Sequence, residues 1–176
     1  MPPSPRVLVS SEALEQRVAE LAAELDRDYR DREPPLCIGL LKGSVFFLVD
    51  LLKRMETEVE IDFLQTSSYR AGTAPGEVWI RKDVEIPLRG RDILLIEDIV
   101  DTGHTLRTVL DLLAHRGARQ VKLCALLDKA AAREVQVPID YCGFTIENRF
   151  VVGYGLDHDE RYRNLPYIGF LEEDEA

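Results

Sequence analysis

DILLIEDIVDTGHTL, residues 92–106, is the stretch that decides the fold. The ILLI run inside it is continuously apolar, as in a strand whose sheet is covered on both faces. Two adjacent acids, Glu97 and Asp98, end that run. Asp101 follows three residues later, and then Thr102, Gly103, His104 and Thr105 form a turn of mostly small residues. Beyond the turn, Leu106, Val109, Leu110 and Leu113 recur at helical spacing, and Gly117 marks the stop. Strand, turn and helix in this order predict one unit of an α/β layer.

Outward from this unit the pattern repeats. CIGLL (37–41) reads as a second buried strand, followed by KGS and by VFFLVDLLKRM (45–55), apolar enough for a largely buried helix. VKLCALL (121–127) predicts a third strand, and YCGF and FVVGY (150–154) are shorter extended segments. Val59, Ile61 and Phe63 alternate with Glu58, Glu60 and Asp62, the mark of a half-buried strand with its apolar side inward. Near the start, Ser11 can cap a helix carrying Leu14, Val18, Leu21 and Leu25 on one face. QTSSYRAGTAPGE (65–77) has no usable period and predicts an exposed, mobile loop. Residues 1–6 and 172–176 read as solvated tails. Together these segments predict one α/β domain over 1–176, with a mainly parallel twisted sheet flanked by helices.

Composition excludes several classes of function. With 176 residues, 45% of them hydrophobic, the chain is sized for one well-buried domain. Its 22 basic and 32 acidic residues give a net charge of -10, which disfavours general binding to nucleic acid. No apolar run approaches the length of a membrane span, and MPPSPRV lacks the core of a signal peptide, so a soluble, cytoplasmic protein is expected. Cys37, Cys124 and Cys142 are widely spaced in apolar surroundings, which suits buried reduced thiols better than a disulfide frame or a zinc site.

In open parallel sheets, ligands bind beyond the carboxyl ends of the strands, and both KGS and EDIVDTGHT fall at such ends. A helix N-terminus offers unpaired N–H groups and a partial positive charge, so residues 101–105 are either a phosphate cradle or a capped turn. Three carboxylates within five residues exceed what a cap needs. Ribose hydroxyls, or Mg²⁺ with its waters, match hard oxygen ligands of this kind. Lys42 adds a cation, and the amides of Gly43 and Ser44 can hold a second anion. LLKGS is not a Walker A loop, because its glycine spacing and its Lys-Ser order differ.

ILLIEDIVDTGHTL resembles the signature by which type I phosphoribosyltransferases bind 5-phosphoribosyl 1-diphosphate. LLKGS, SSY, DK (128–129) and FVVGYGLDHDERYRNLPYIG (150–169) are similar, in the same order, to segments of the hypoxanthine-guanine phosphoribosyltransferases. The resemblance spans roughly residues 37 to 171 and implies the type I fold, with a small hood from the terminal segments, and Mg²⁺ dependence. It further implies purine salvage: transfer of the phosphoribosyl group to hypoxanthine or guanine, giving IMP or GMP and diphosphate. By this resemblance Glu97 and Asp98 hold the ribose hydroxyls and a metal ion, Asp101 is the general base, and residues 101–105 cradle the 5'-phosphate. Lys42 and Gly43, in a loop whose Leu41-Lys42 peptide is typically cis in this family, and Arg163 contact diphosphate. Lys129 meets the purine 6-oxygen, Phe150 stacks on the base, Val151 offers backbone contacts and Asp157 holds a second Mg²⁺. Ser68 and Tyr69 belong to a lid over 65–77. At His104 relatives vary and often carry lysine. A homodimer or homotetramer is also implied. A sibling enzyme for xanthine or another base, and an RNA-binding regulator on the same fold, are the alternatives; the acidic net charge disfavours the second.

Overall fold

The structure, a computed structural model, describes residues 5–68 and 78–171. In chain order its elements are β1 (Arg6–Val9), α1 (Ser11–Tyr29), β2 (Leu36–Leu41), α2 (Val45–Leu52), β3 (Glu60–Ser68), β4 (Val78–Lys82), β5 (Asp92–Val100), α3 (His104–His115), β6 (Gln120–Asp128), a 3-10 turn (Ala130–Ala132), β7 (Tyr141–Thr145), β8 (Val151–Val152) and β9 (Ile168–Phe170). The main sheet runs β4-β3-β2-β5-β6-β7. All its neighbours pair in parallel except β4, which lies antiparallel on the edge beside β3.

Strand alternation divides the core into two layers. On β5, Leu94 and Ile96 face α1 and α2, where they join Leu14, Leu21, Phe47 and Leu51. Ile93 and Leu95 face the other way, onto Leu106, Val109 and Leu113 of α3. Because side chains point to opposite faces at successive positions, an unbroken apolar run is what a doubly covered strand requires. From β2 the chain crosses through α2 to β3 on one side, and from β5 through α3 to β6 on the other. The crevice between the carboxyl ends of β2 and β5 is therefore the topological switch point. The terminal segments supply the expected hood, a small antiparallel sheet in the order β1-β9-β8.

Several boundaries differ from the sequence expectation. Ser10, not Ser11, caps α1, its hydroxyl accepting from the Ala13 amide at 3.2 Å. The expected tail at 1–6 yields at Pro5, which is buried, and Arg6, which opens β1 against β9. Helix α2 stops at Leu52 and is covered on one face only, burying Phe47, Leu48 and Leu51 while Phe46 and Val49 stay 40% and 45% exposed. On β3 the expected side holds in part: Val59 and Phe63 pack against the core while Glu58 and Glu60 are exposed, but Ile61 is 46% exposed and the opposite face is covered as well, burying Asp62 and Leu64. Asp62 tolerates this because it accepts from the amides of Phe63, Glu85 and Ile86 at 2.7, 2.7 and 3.0 Å and pairs with Lys82. Gln65–Ser68, expected in the loop, complete β3 and pair with β4, a strand with no sequence expectation. Tyr69 and the rest of the expected lid, 69–77, lie outside the described residues. The three cysteines are free, Cys37 and Cys124 fully buried. Among the described residues no helix is long and apolar enough to cross a membrane.

Candidate active site

At the switch point lies a cavity of about 320 Å³. Lys42 and Gly43 line it from the turn after β2, Glu97 and Asp98 from β5, and Asp101, Thr102, Gly103 and Thr105 from the approach to α3. Asp157 and Arg163 enter from the segment between β8 and β9. Residues separated by more than a hundred positions thus meet in one concavity of the size ordinary small-molecule sites have.

The acids differ in environment. β5 continues through the acidic pair to Val100, so Glu97 and Asp98 are part of the strand and only 8% and 9% exposed. Asp98 Oδ1 accepts from the Ile99 amide at 2.8 Å. Oε2 of Glu97 is buried without a hydrogen-bond partner. Burial first, and then the charge of Asp98, raise the Glu97 carboxyl well above the ordinary carboxylate range. Gly43 makes this packing possible, because a Cβ there would stand 1.6 Å from Asp98 Oδ2. In the same turn the Leu41–Lys42 peptide is cis, as the resemblance implied. Ser44 is fully buried, its hydroxyl donating to the Leu40 carbonyl at 2.7 Å.

The turn into α3 is not capped by a side chain. Gly103 occupies the N-cap position at φ 93° and offers no side-chain acceptor, so the DTGHT hydroxyls are not spent on the helix start. Both the left-handed backbone and the room demand glycine, since a Cβ would come within 2.3 Å of the Val135 carbonyl. A segment that sequence reading left unassigned braces this turn. The Glu134 and Val135 amides donate to the Thr102 carbonyl at 3.0 and 2.9 Å. Arg133, nearly buried, donates to the carbonyls of Asp101 and Val100 at 2.8 and 3.2 Å and pairs with Asp128. In the sequence Arg133 follows a short alanine run with no period, so no local signal distinguishes it from a surface arginine.

Not every expected site residue faces the cavity. The His104 ring turns outward to Glu134, Nε2 to Oε2 at 2.9 Å, so only its backbone is available to a cradle. Lys129 is buried beside the cavity, Nζ 3.3 Å from Asp101 Oδ2. Phe150 is 48% exposed and meets His158 edge to face at 5.2 Å, so it is not plain core. Val151 is buried and pairs with Phe170. These three residues do not line the cavity. Ser68 ends β3. On the hood side, Arg163 Nη2 pairs with Asp157 Oδ1 at 2.8 Å, and Nη1 donates to the Gly155 carbonyl at 2.7 Å. Sequence reading also overlooked Glu160, which lies between Lys42 and Arg163 at 3.0 and 3.1 Å.

Residues 8–159 match a family model described as phosphoribosyl transferase domain. The chain is 48% identical over 168 residues to the hypoxanthine-guanine phosphoribosyltransferase of Bacillus subtilis, covering 95% of this chain and 93% of that protein. It is 52% identical to the bifunctional protein TilS/HprT of Listeria monocytogenes, again over 95% of this chain; that protein is longer, and the chain spans 26% of its length. Among solved structures, a hypoxanthine phosphoribosyltransferase from Staphylococcus aureus superposes with a TM-score of 0.91 at 44% identity, covering 96% of this chain and 92% of that one.

Proposed function

The chain belongs to the phosphoribosyltransferase family, in its hypoxanthine-guanine branch, and from that premise we propose that it transfers the 5-phosphoribosyl group of 5-phosphoribosyl 1-diphosphate to hypoxanthine or guanine. The products are IMP or GMP and diphosphate. The observation that carries this reading is the single cavity in which an uncapped helix start, a pair of buried acids and two cations meet.

Each group has a task suited to its place. The amides at the start of α3, with Thr102 and Thr105, receive the 5'-phosphate, using N–H groups that the helix leaves unpaired. Glu97 and Asp98 accept from the ribose hydroxyls. Lys42, the Gly43 amide and Arg163 hold diphosphate and stabilise the charge that develops on it as it leaves. Lys129, carrying only donors, meets the 6-oxygen of the purine. Asp101, half-exposed and 3.3 Å from Lys129, handles the purine ring proton. Phe150 offers an open ring face for stacking, and the Val151 backbone meets the edge of the base. Closure over the reacting centre, which excludes water, falls to the lid that carries Ser68 and Tyr69.

Mg²⁺ fits these residues. Glu97 Oε2 is buried and unpartnered, and Gly43 leaves room for the Asp98 carboxylate. Among the described residues no three acid, His or Cys groups form a cage of their own. An ion that binds through one or two carboxylates together with substrate oxygens suits such a set. Glu97 and Asp98 would hold one ion at the ribose and Asp157 a second at the diphosphate, each supplying positive charge against the leaving group. Free cysteines suit a cytoplasmic enzyme. Phe46 and Val49, exposed three positions apart on α2, are apolar surface suited to self-association into a dimer or tetramer.

The deciding experiment measures nucleotide formation with hypoxanthine, guanine, xanthine and adenine at equal concentration. Adenine places an amine where Lys129 needs an acceptor, and a site built on a required hydrogen bond can discriminate by roughly 10⁴. Adenine turning over as well as hypoxanthine would overturn both the role of Lys129 and the choice of base.

A further inference from the structure

Glu160 stands where no assigned role places it. Its carboxylate bridges two cations that line the cavity from separate segments, with Oε1 3.0 Å from Lys42 Nζ and Oε2 3.1 Å from Arg163 Nη2. Those two cations are the ones read above as the diphosphate contacts. Both side chains are donors only, so each N–H given to Glu160 is one that a diphosphate oxygen would otherwise take.

The turn that carries Glu160 is shaped to project it. Asp159 and Glu160 are non-glycine residues at φ 51° and 62°. This left-handed backbone is held from both ends: the amide of Glu160 donates to Asp157 Oδ2 at 2.9 Å, and His158 and Arg161 exchange backbone hydrogen bonds at 3.2 and 3.0 Å. The neighbouring acid Asp159 points elsewhere, 3.9 Å from His158. Asp157 meets Arg163 and has no ion pair with Lys42. Of these three acids, Glu160 therefore spans both cations.

We propose that Glu160 is an internal competitor for the diphosphate subsite. Its carboxylate occupies Lys42 and Arg163 before the donor arrives and takes them back as diphosphate leaves. Glu160 thereby weakens ground-state binding of donor and product alike, and leaves the purine subsite untouched. This inference rests on the reading of Lys42 and Arg163 as diphosphate contacts.

Calorimetric titration of the intact protein with inorganic diphosphate in the presence of Mg²⁺ tests both ideas separately. Failure of the unmodified protein to bind diphosphate would remove the subsite reading and the competitor with it. If it binds, Glu160→Gln should tighten diphosphate binding roughly threefold to tenfold, the range that loss of two exposed ion pairs can supply. Glu160→Ala should tighten it at least as much. Glu160 is 64% exposed in its side chain, so both variants should keep the parent melting temperature. Glu33→Gln makes the same charge change at the opposite end of the sheet and controls for the general field of a chain with net charge -10. In steady state KM for the donor should fall while KM for the base stays constant. Unchanged or weaker diphosphate affinity in the Glu160 variants, or equal tightening in Glu33→Gln, would overturn the proposal.

Discussion

At the scale of single residues, two carboxylates on one strand end are set to different chemistry by their surroundings. Asp101 is half-exposed and paired with Lys129, whereas Glu97 is enclosed beside Asp98. Asp101→Asn should keep the fold and donor binding, because the amide still accepts from Lys129, yet lower kcat by ~10²–10⁴, the usual range for lost proton transfer. Single-turnover rates with donor and hypoxanthine check this; normal turnover would reduce Asp101 to a structural partner of Lys129. Glu97 bears on stability instead. Its folded pKa is raised above the ordinary value of 4.5, so the native state holds a proton that the unfolded chain releases. The associated stability is present below about pH 4.5 and is lost as pH rises through the raised value. Glu97→Gln keeps the shape and removes the titrating group. It should be more stable than the parent at pH 8, because the amide needs no proton uptake on folding, with the difference narrowing toward pH 5. Thermal melts without donor or Mg²⁺ at both pH values would show this, and an equal difference at both would mean that the carboxylate is already solvated.

At the scale of elements, the start of α3 depends on contacts made far along the chain. The segment after β6 braces the DTGHT turn through Arg133, Glu134 and Val135, which lets Gly103 begin a helix with no side-chain cap. Gly103→Ala forces a Cβ into the Val135 carbonyl and a side chain onto a left-handed backbone. Such strain costs ~1–3 kcal/mol. A lowered urea midpoint is expected, with KM for the donor raised more than KM for the base, since the amides proposed to receive the 5'-phosphate would move and Lys129 would not. A variant with the parent midpoint and donor KM would show that the turn relaxes freely.

At the scale of the molecule, the cavity joins the turn after β2, the end of β5 and the segment leading to β9. On the proposed reading, a donor bound there with Mg²⁺ would crosslink the main sheet to the hood segment. At a hundred times its Kd it should stabilise the fold by ~2.7 kcal/mol, which for a domain of this size is roughly 5–10 °C in Tm. Replacing Mg²⁺ by EDTA should abolish most of that shift. A shift insensitive to EDTA would take the metal out of the donor site.

Periodicity and local chemistry were enough to locate the layers. The continuous apolar runs of β2, β5 and β6 announce strands covered on both faces, and acids and small residues at two strand ends announce a site, because both signals are carried by neighbours in sequence. That β3 is covered on its second face too was beyond local reading. Asp62 goes inward only because the amides of Glu85 and Ile86, more than twenty residues away, satisfy its carboxylate. The cap of α3, the bracing by Arg133 and the pairing of Glu160 with Lys42 and Arg163 were likewise decided by tertiary structure. A charged side chain declares its type in the sequence, but its partner is whichever opposite charge the fold brings within reach, and that distance is fixed only when the sheet and the hood close on each other.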